Sequence, residues 1–300
     1  MKLIESKVEI IEQQPGLEGV YKQIELAGRT CYKSEDKITG DSAKGFVDRM
    51  IKSKHGAMLE HGTVYLLIHE LNYFPDLEEF NTNPYTKVIY FDRDWYITTN
   101  LRVLVENNWL DYLEYICEPT EHHEKRITAR FTCDRGVSHE IVRHRVMSFA
   151  MESTRYCNYE KDKFGNELTY VSPSWLDINK LLPLVDLANK DNKEVYRMGH
   201  DESLSNEDRA MCSFIYDLSN CEHGYLFQIK CGWQAQQARQ LLPNALKTEI
   251  IVTGFESDWE HFFSLRSPKY GAQGVHPDMA KLADELYERL NNVNNNNKLN

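Results

Sequence analysis

The chain has 300 residues, 41% of them hydrophobic and 27% charged, enough apolar material for a sizeable core of one large or two modest domains. Acids outnumber bases 46 to 35, a formal charge of −11, which argues against non-specific binding to nucleic acid or a membrane surface but not against a phosphorylated small molecule held by a local arginine cluster. The seven cysteines form no Cys-x-x-Cys pair, so neither a disulfide framework nor a zinc site is indicated; reduced cysteines, a first segment without a signal-peptide core and no membrane-length apolar run point to a cytoplasmic protein.

In chain order, residues 7–12 read as a short strand, ended by Pro15-Gly16. Leu17, Val20, Tyr21, Ile24 and Ala27 predict a helix over 17–31, and Asp41-Ser42 caps a second through Ile51. Thr63 to Ile68 is rich in strand formers, and Val88–Phe91 with Trp95–Thr98 predict a hairpin about Asp92-Arg93-Asp94. Asn100 is placed to cap a helical stretch reaching Ile116. Lys125 to Cys133 alternates as a strand, after which a helix over Val137–Arg145 would deliver Arg143 and His144 near its C-terminal end. An extended segment to Tyr159 should follow, then loop and short helix over 160–206, given Gly165, Pro173, Pro183 and many Asp and Asn. A long helix is expected over 205–230, a shorter one from Gln234 to Leu242, a strand from Lys247 to Thr253, a helix opened by Ser257-Asp258-Trp259-Glu260, and a last amphipathic helix from Pro277.

One stretch stands apart: Arg143-His144-Arg145-Val146-Met147-Ser148-Phe149-Ala150-Met151-Glu152-Ser153-Thr154-Arg155-Tyr156. Glu152 is its single acid, and apolar residues alternate with the polar ones. Guanidinium groups bind phosphate in a planar, bidentate way, so a phosphate-bearing ligand across this run is one reading. The other is the exposed end of a helix, with cations at the negative end of its dipole. Residue types alone leave both open.

The stretch resembles the signature of the flavin-dependent thymidylate synthases (the ThyX family): Arg-His-Arg, about seven residues, then Ser, one residue, Arg-Tyr. Arg143, His144, Arg145, Ser148, Ser153, Arg155 and Tyr156 match it. Glu60-His61 before a strand, Ala238-Arg239 before Leu242-Pro243, and Leu265-Arg266 are similar to three further blocks of that family. The resemblance implies an α+β fold, a mixed, largely antiparallel sheet flanked by helices, in a single catalytic domain over 1–290, with a family-variable insertion at 71–130 and an Asn-rich flexible tail at 291–300. It implies transfer of a one-carbon unit from methylenetetrahydrofolate to dUMP, with FAD as hydride carrier and NADPH as its reductant. It further implies that Arg266 and Ser153 are catalytic, that Arg143, Ser153, Arg155, Arg239, Arg266 and Glu140 bind dUMP, and that His61, Thr63, Arg143, His144, Arg145 and His261 bind FAD. The sites would be shared between subunits of a homotetramer, with no cysteine nucleophile and no metal.

The chain departs from the family where Ala150 and Met151 replace Asn and Glu, and where Phe255 and Ser257 stand at flavin-contacting Asn and Arg positions. These losses remove cofactor donors. They leave open a divergent relative that forms 5-hydroxymethyl-dUMP, or a nucleotide- or flavin-binding homologue without catalysis; retention of Arg143, Arg155, Arg239 and Arg266 argues against the last.

Overall fold

The computed structural model describes residues 1–72 and 74–297. Strands β1 (Lys2–Ile4) and β2 (Lys7–Ile11) lead into helix α1 (Gly16–Tyr32), followed by α2 (Ser42–Lys52) and the single turn α3 (Gly56–Leu59). Then follow β3 (Thr63–His69), α4 (Leu77–Thr82), β4 (Lys87–Phe91), β5 (Asp94–Asn100) and α5 (Leu101–Glu106), of which all but β3 fall within the expected insertion at 71–130. Next come β6 (Arg126–Asp134), α6 (Arg135–Ile141), β7 (Ser148–Met151), β8 (Thr169–Val171), α7 (Ile178–Gly199), α8 (Asn206–Lys230), α9 (Ala235–Ala238), β9 (Lys247–Phe255), α10 (Glu256–Arg266) and α11 (Pro277–Asn297).

The fold is α+β, and its strands pair largely antiparallel. They make three sheets: a central one in the order β2-β6-β9-β7, a second in the order β3-β5-β4, and the parallel pair β1-β8. β6 and β9 pair over nine residues, from Arg126 opposite Phe255 to Asp134 opposite Lys247, and β7 pairs along the other edge of β9, with Ser148 opposite Thr253. β9 is covered on both faces. Ile250 and Val252 pack with Trp259, Phe262, Met279, Leu282 and Leu286 of α10 and α11, while Ile251 packs with Ala27 of α1 and Ala150 of β7. Hence its apolar run lacks the alternation expected of a half-exposed strand.

The hairpin falls where Asp92-Arg93 predicts it. Both residues have positive φ, 43° and 66°, as a tight two-residue turn requires. Asn100 caps α5 by accepting the Val103 amide hydrogen at 3.2 Å. The three-stranded sheet packs its inner face, with Val64, Leu66 and Ile97, against Val20 and Ile24 of α1 and Phe46 of α2.

Four expectations are corrected. The segment 160–206 is not mostly loop: α7 spans 22 residues and packs as an antiparallel hairpin against α8, with Leu181, Val185, Ala188 and Val195 buried at helical spacing. Pro183 sits early in α7, and Asp191 leaves helical geometry at φ −146°, so the polar, proline-bearing sequence bends the helix without ending it. α6 stops at Ile141, not Arg145. Only Ser148–Met151 of the segment up to Tyr159 is strand. α10 starts at Glu256, with Phe255 as its N-cap residue; the Asp258 carboxylate accepts the Phe255 amide hydrogen at 2.9 Å, so Ser257 lies inside the first turn. α11 spans Pro277–Asn297, and residues 298–300 of the expected tail lie outside the described residues.

α1 approaches the turn before β3 closely. A Cβ on Gly62 would fall 2.6 Å from the Ile24 Cδ1 and 2.7 Å from the Val20 Cγ1. Gly62→Ala should therefore destabilise the fold by about 1–3 kcal/mol, as overpacking does; urea unfolding of the variant against the parent measures it.

Candidate active site

The Asp134 side chain accepts the Val137 amide hydrogen at 2.9 Å and starts α6 where β6 ends. After Ile141 the chain tightens: the amides of Arg143 and His144 bond to the carbonyls three residues back, of Glu140 and Ile141. This turn sends alternate side chains to opposite sides. Arg143 and Arg145 are exposed, and His144 is buried.

Inside, His144 meets the end of α10. Arg266 Nε donates to His144 Nε2 at 3.0 Å, and Arg266 Nη1 pairs with Glu140 Oε2 at 2.5 Å. The His144 ring lies edge-on to Phe262 at 4.8 Å, and His261, exposed, is 6.4 Å away. Burial, with the Arg266 and His261 charges adding to it, holds the His144 pKa down to about 4. The ring is therefore neutral near pH 7 and keeps its Nε2 lone pair for Arg266. A guanidinium has five N–H donors; two are used here, and the rest of the Arg266 fork remains for a ligand.

Beyond β7, the Ser153 amide hydrogen bonds to the Cys31 carbonyl at 2.9 Å, and the Ser153 carbonyl accepts from the Tyr156 and Cys157 amides. Arg155 is exposed and lies over the Tyr156 ring at 5.3 Å. Arg239 is half-buried after α9. Among the described residues, Arg143, Arg145, Arg155 and Arg239 have no carboxylate at ion-pair distance, in contrast with Arg266. β7 puts roughly 10 Å of strand between the Arg143–Arg145 turn and the Ser153–Arg155 turn.

His61 and Thr63, which the resemblance assigns to the flavin, are buried within this chain. His61 is fully enclosed, with Nδ1 hydrogen-bonded to Thr253 Oγ1 at 2.9 Å, and Thr253 Oγ1 is 2.9 Å from Thr128 Oγ1. Thr63 is buried, its backbone held by the Gln13 amide in two 2.8 Å bonds. His61 joins the start of β3 to β9 through Thr253, and Thr63 lines a cleft with Gln13, Tyr65 and Arg126. Phe255 is buried as well, and the Ser257 hydroxyl donates to Glu124 at 2.5 Å.

Arg126, not singled out in the sequence, sits among these groups. Its Nη1 donates to the Glu60 carbonyl at 2.9 Å, its Nη2 lies 3.4 Å from Ser148 Oγ, and its guanidinium faces the Phe255 ring at 5.5 Å. Burial lowers its pKa to about 10. Nothing in the sequence of β6, which also carries Arg130, distinguished it. Glu152 was visible merely as the lone acid of its run, and it is almost fully buried. The seven cysteines are free. Cys157 is buried, and burial, with Glu152 nearby, pushes its thiol up to about 12, which opposes the thiolate that neighbouring arginines would favour. Among the described residues, no three His, Cys, Asp or Glu side chains are grouped to hold a metal, and no helix is long and apolar enough to cross a membrane.

The model of the family described as thymidylate synthase complementing protein matches residues 106–294, and the chain belongs to that family. It is similar to the flavin-dependent thymidylate synthase of Corynebacterium diphtheriae, 29% identical over 272 residues, which cover 90% of this chain and 76% of that protein. It is also similar to the flavin-dependent thymidylate synthase of Geobacter sulfurreducens, 27% identical over 132 residues, 44% of this chain and less than half (43%) of the relative's length. Among solved structures, the UMP/dUMP methylase PolB from Streptomyces cacaoi superposes with a TM-score of 0.44 at 16% identity, over 97% of this chain and 92% of that one. At that score the superposition carries no weight for the site.

The enclosed His61 gives a pH dependence. Burial, with the Arg126 charge adding to it, holds its pKa to about 3, below the ordinary 6.5. Between those values the unfolded chain takes up a proton that the folded chain refuses, so stability is complete above about pH 6.5 and falls as the pH drops, by about 1.4 kcal/mol per unit. Urea unfolding at pH 6.5 and pH 5 should lose about 2 kcal/mol less in His61→Asn than in the parent.

Proposed function

We propose that this chain is a flavin-dependent thymidylate synthase: it moves the one-carbon unit of methylenetetrahydrofolate to C5 of dUMP, and NADPH-reduced FAD supplies the hydride that completes the methyl group. The observation that carries the reading is the Arg266–His144–Glu140 couple, in a chain where Arg143, Arg145, Arg155 and Arg239 lack carboxylate partners among the described residues. Membership of the family and the names of the relatives support it.

FAD fits part of the residues that the resemblance assigns to it. Arg143 and Arg145 are exposed and, among the described residues, without a carboxylate partner, which leaves them open to a diphosphate, and exposed His261 stands next to His144. His61 and Thr63 are enclosed and support the site from beneath. When bound, FAD supplies hydride transfer. The chain's own residues do the rest. Arg155 and Arg239, with Ser153, hold the nucleotide phosphate. Arg266 meets the negative charge that grows on the uracil carbonyls as C5 reacts, and its value there depends on being fixed beforehand. Glu140 and neutral His144 fix it from two sides. Burial and the raised pKa leave Cys157 out of the chemistry.

One observation favours keeping a second product in view. Phe255 is buried and the Ser257 hydroxyl is taken by Glu124, so neither replaces the lost flavin donors. A weaker hold on the flavin would let water complete the reaction as 5-hydroxymethyl-dUMP. Incubation with dUMP, methylenetetrahydrofolate, NADPH and FAD, read by mass spectrometry, should give dTMP; the hydroxymethyl mass would select the second product, and unchanged dUMP would sink both.

The same reading includes the assembly that the resemblance implies, a symmetric homotetramer whose sites combine residues of more than one chain. Arg155→Ala and Arg266→Ala should each be inactive, and subunits of the two mixed after partial dissociation should recover activity in part. A monomer in sedimentation would refute the assembly. Arg266→Ala alone should lower kcat roughly a hundredfold or more with unchanged circular dichroism.

A further inference from the structure

A buried ionic ladder begins one residue before Ser153. The Glu152 side chain, 1% exposed, accepts from Lys247 Nζ at 2.9 Å and from the Tyr159 hydroxyl at 3.1 Å. Lys247 also meets Glu249 at 2.7 Å, and Glu249 meets Lys33 at 2.9 Å. Glu152, Lys247, Glu249 and Lys33 thus alternate in sign, with Glu35 3.0 Å beyond Lys33, beside a cleft of about 660 Å³ lined by Lys33, Glu35, Glu152 and Lys247. Burial pushes the Glu249 carboxyl up, but Lys247 and Lys33 outweigh it and hold the pKa at about 2. Burial likewise opposes the Lys247 charge, and Glu152 and Glu249 outweigh it. Glu249 and Lys247 therefore stay charged at neutral pH.

The ladder joins three separate pieces of chain. Lys33 caps the C-terminal end of α1, Lys247 and Glu249 belong to β9, and Glu152 with Tyr159 brackets the Ser153–Arg155 turn. The backbone follows the same plan: the Glu152 amide donates to the Glu249 carbonyl at 2.8 Å, and the Ser153 amide to the Cys31 carbonyl at 2.9 Å. Well-packed apolar side chains would stabilise such a place as well or better, and buried ionic groups are better attested as fixing one geometry. What is fixed here is the start of a turn whose exposed Arg155 has no carboxylate partner.

We infer that Glu152 and Lys247 are a positioning pair, which sets the Ser153–Arg155 turn for the phosphate of the nucleotide. The inference rests on the proposed reading that this turn receives a nucleotide phosphate. A misplaced turn loses the phosphate contact and leaves recognition of the base and sugar intact.

The test measures binding of dUMP and of deoxyuridine, which lacks the phosphate, to the full chain with FAD added. Glu152→Gln, which keeps the shape and the Tyr159 bond, should weaken dUMP about tenfold or more and deoxyuridine no more than about twofold. Glu152→Gln/Lys247→Met, whose remaining Lys33–Glu249 pair is neutral, supplies a variant that folds if the single one does not. It should show the same loss as the worse single variant, not the product of two losses. Equal losses for both ligands would make the ladder merely structural and overturn the inference, as would unchanged dUMP binding. A parent chain that fails to bind dUMP would overturn the functional reading, and this inference with it.

Discussion

The site depends on the nine-residue pairing of β6 with β9. That ladder fixes β9, and β9 fixes what touches it: β7 along its free edge, α10 at its end, and Lys247 and Glu249 at its start. His144 and Arg266 are 122 residues apart in sequence, and they meet because the turn before β7 and the helix after β9 issue from neighbouring strands. A shift of one residue in the register would turn Ile250 and Val252 away from α10 and α11, so the packing of the core and the alignment of the site are a single requirement.

Much of this was legible in the sequence, for identifiable reasons. The hairpin at Asp92-Arg93, the Asn100 cap, α8 behind Ser205 and α11 behind Pro277 each rest on local chemistry that tertiary structure did not override. α7 was hidden because Pro183 and its Asp and Asn residues resemble a loop, and the stripe that defeats this reading faces α8, a partner no local window contains. The end of α6 was missed for a related reason: apolar Val142 and Val146 suit a helix, but burial of His144 against Phe262 turns the chain earlier.

The candidate site divides the same way. Arg143, Arg145 and Arg155 could be named because arginine in a sparse, sign-biased run invites an anion, whereas Arg239, Arg266 and Glu140 were named only through the family resemblance. The pairing of Glu140 with Arg266 could not be foreseen, and Arg126 and Glu152 acquire meaning only from partners far off in sequence. His61 shows the converse. Its place in a recognisable block was visible, and its complete enclosure beneath Thr253 was not.

Arg126 has one more effect, on the architecture. Its guanidinium, on the first residue of β6, reaches the Glu60 carbonyl just before β3, and so ties together the two ends of the segment 61–125. A segment whose ends already meet can lengthen or shorten without changing the distance the rest of the chain must span. That freedom is uneven. β3 covers α1 and must keep its apolar face, whereas β4, at the outer edge with Ile89, Tyr90 and Phe91 exposed, is where the insertion can be trimmed, extended or grafted with the least disturbance to the central sheet.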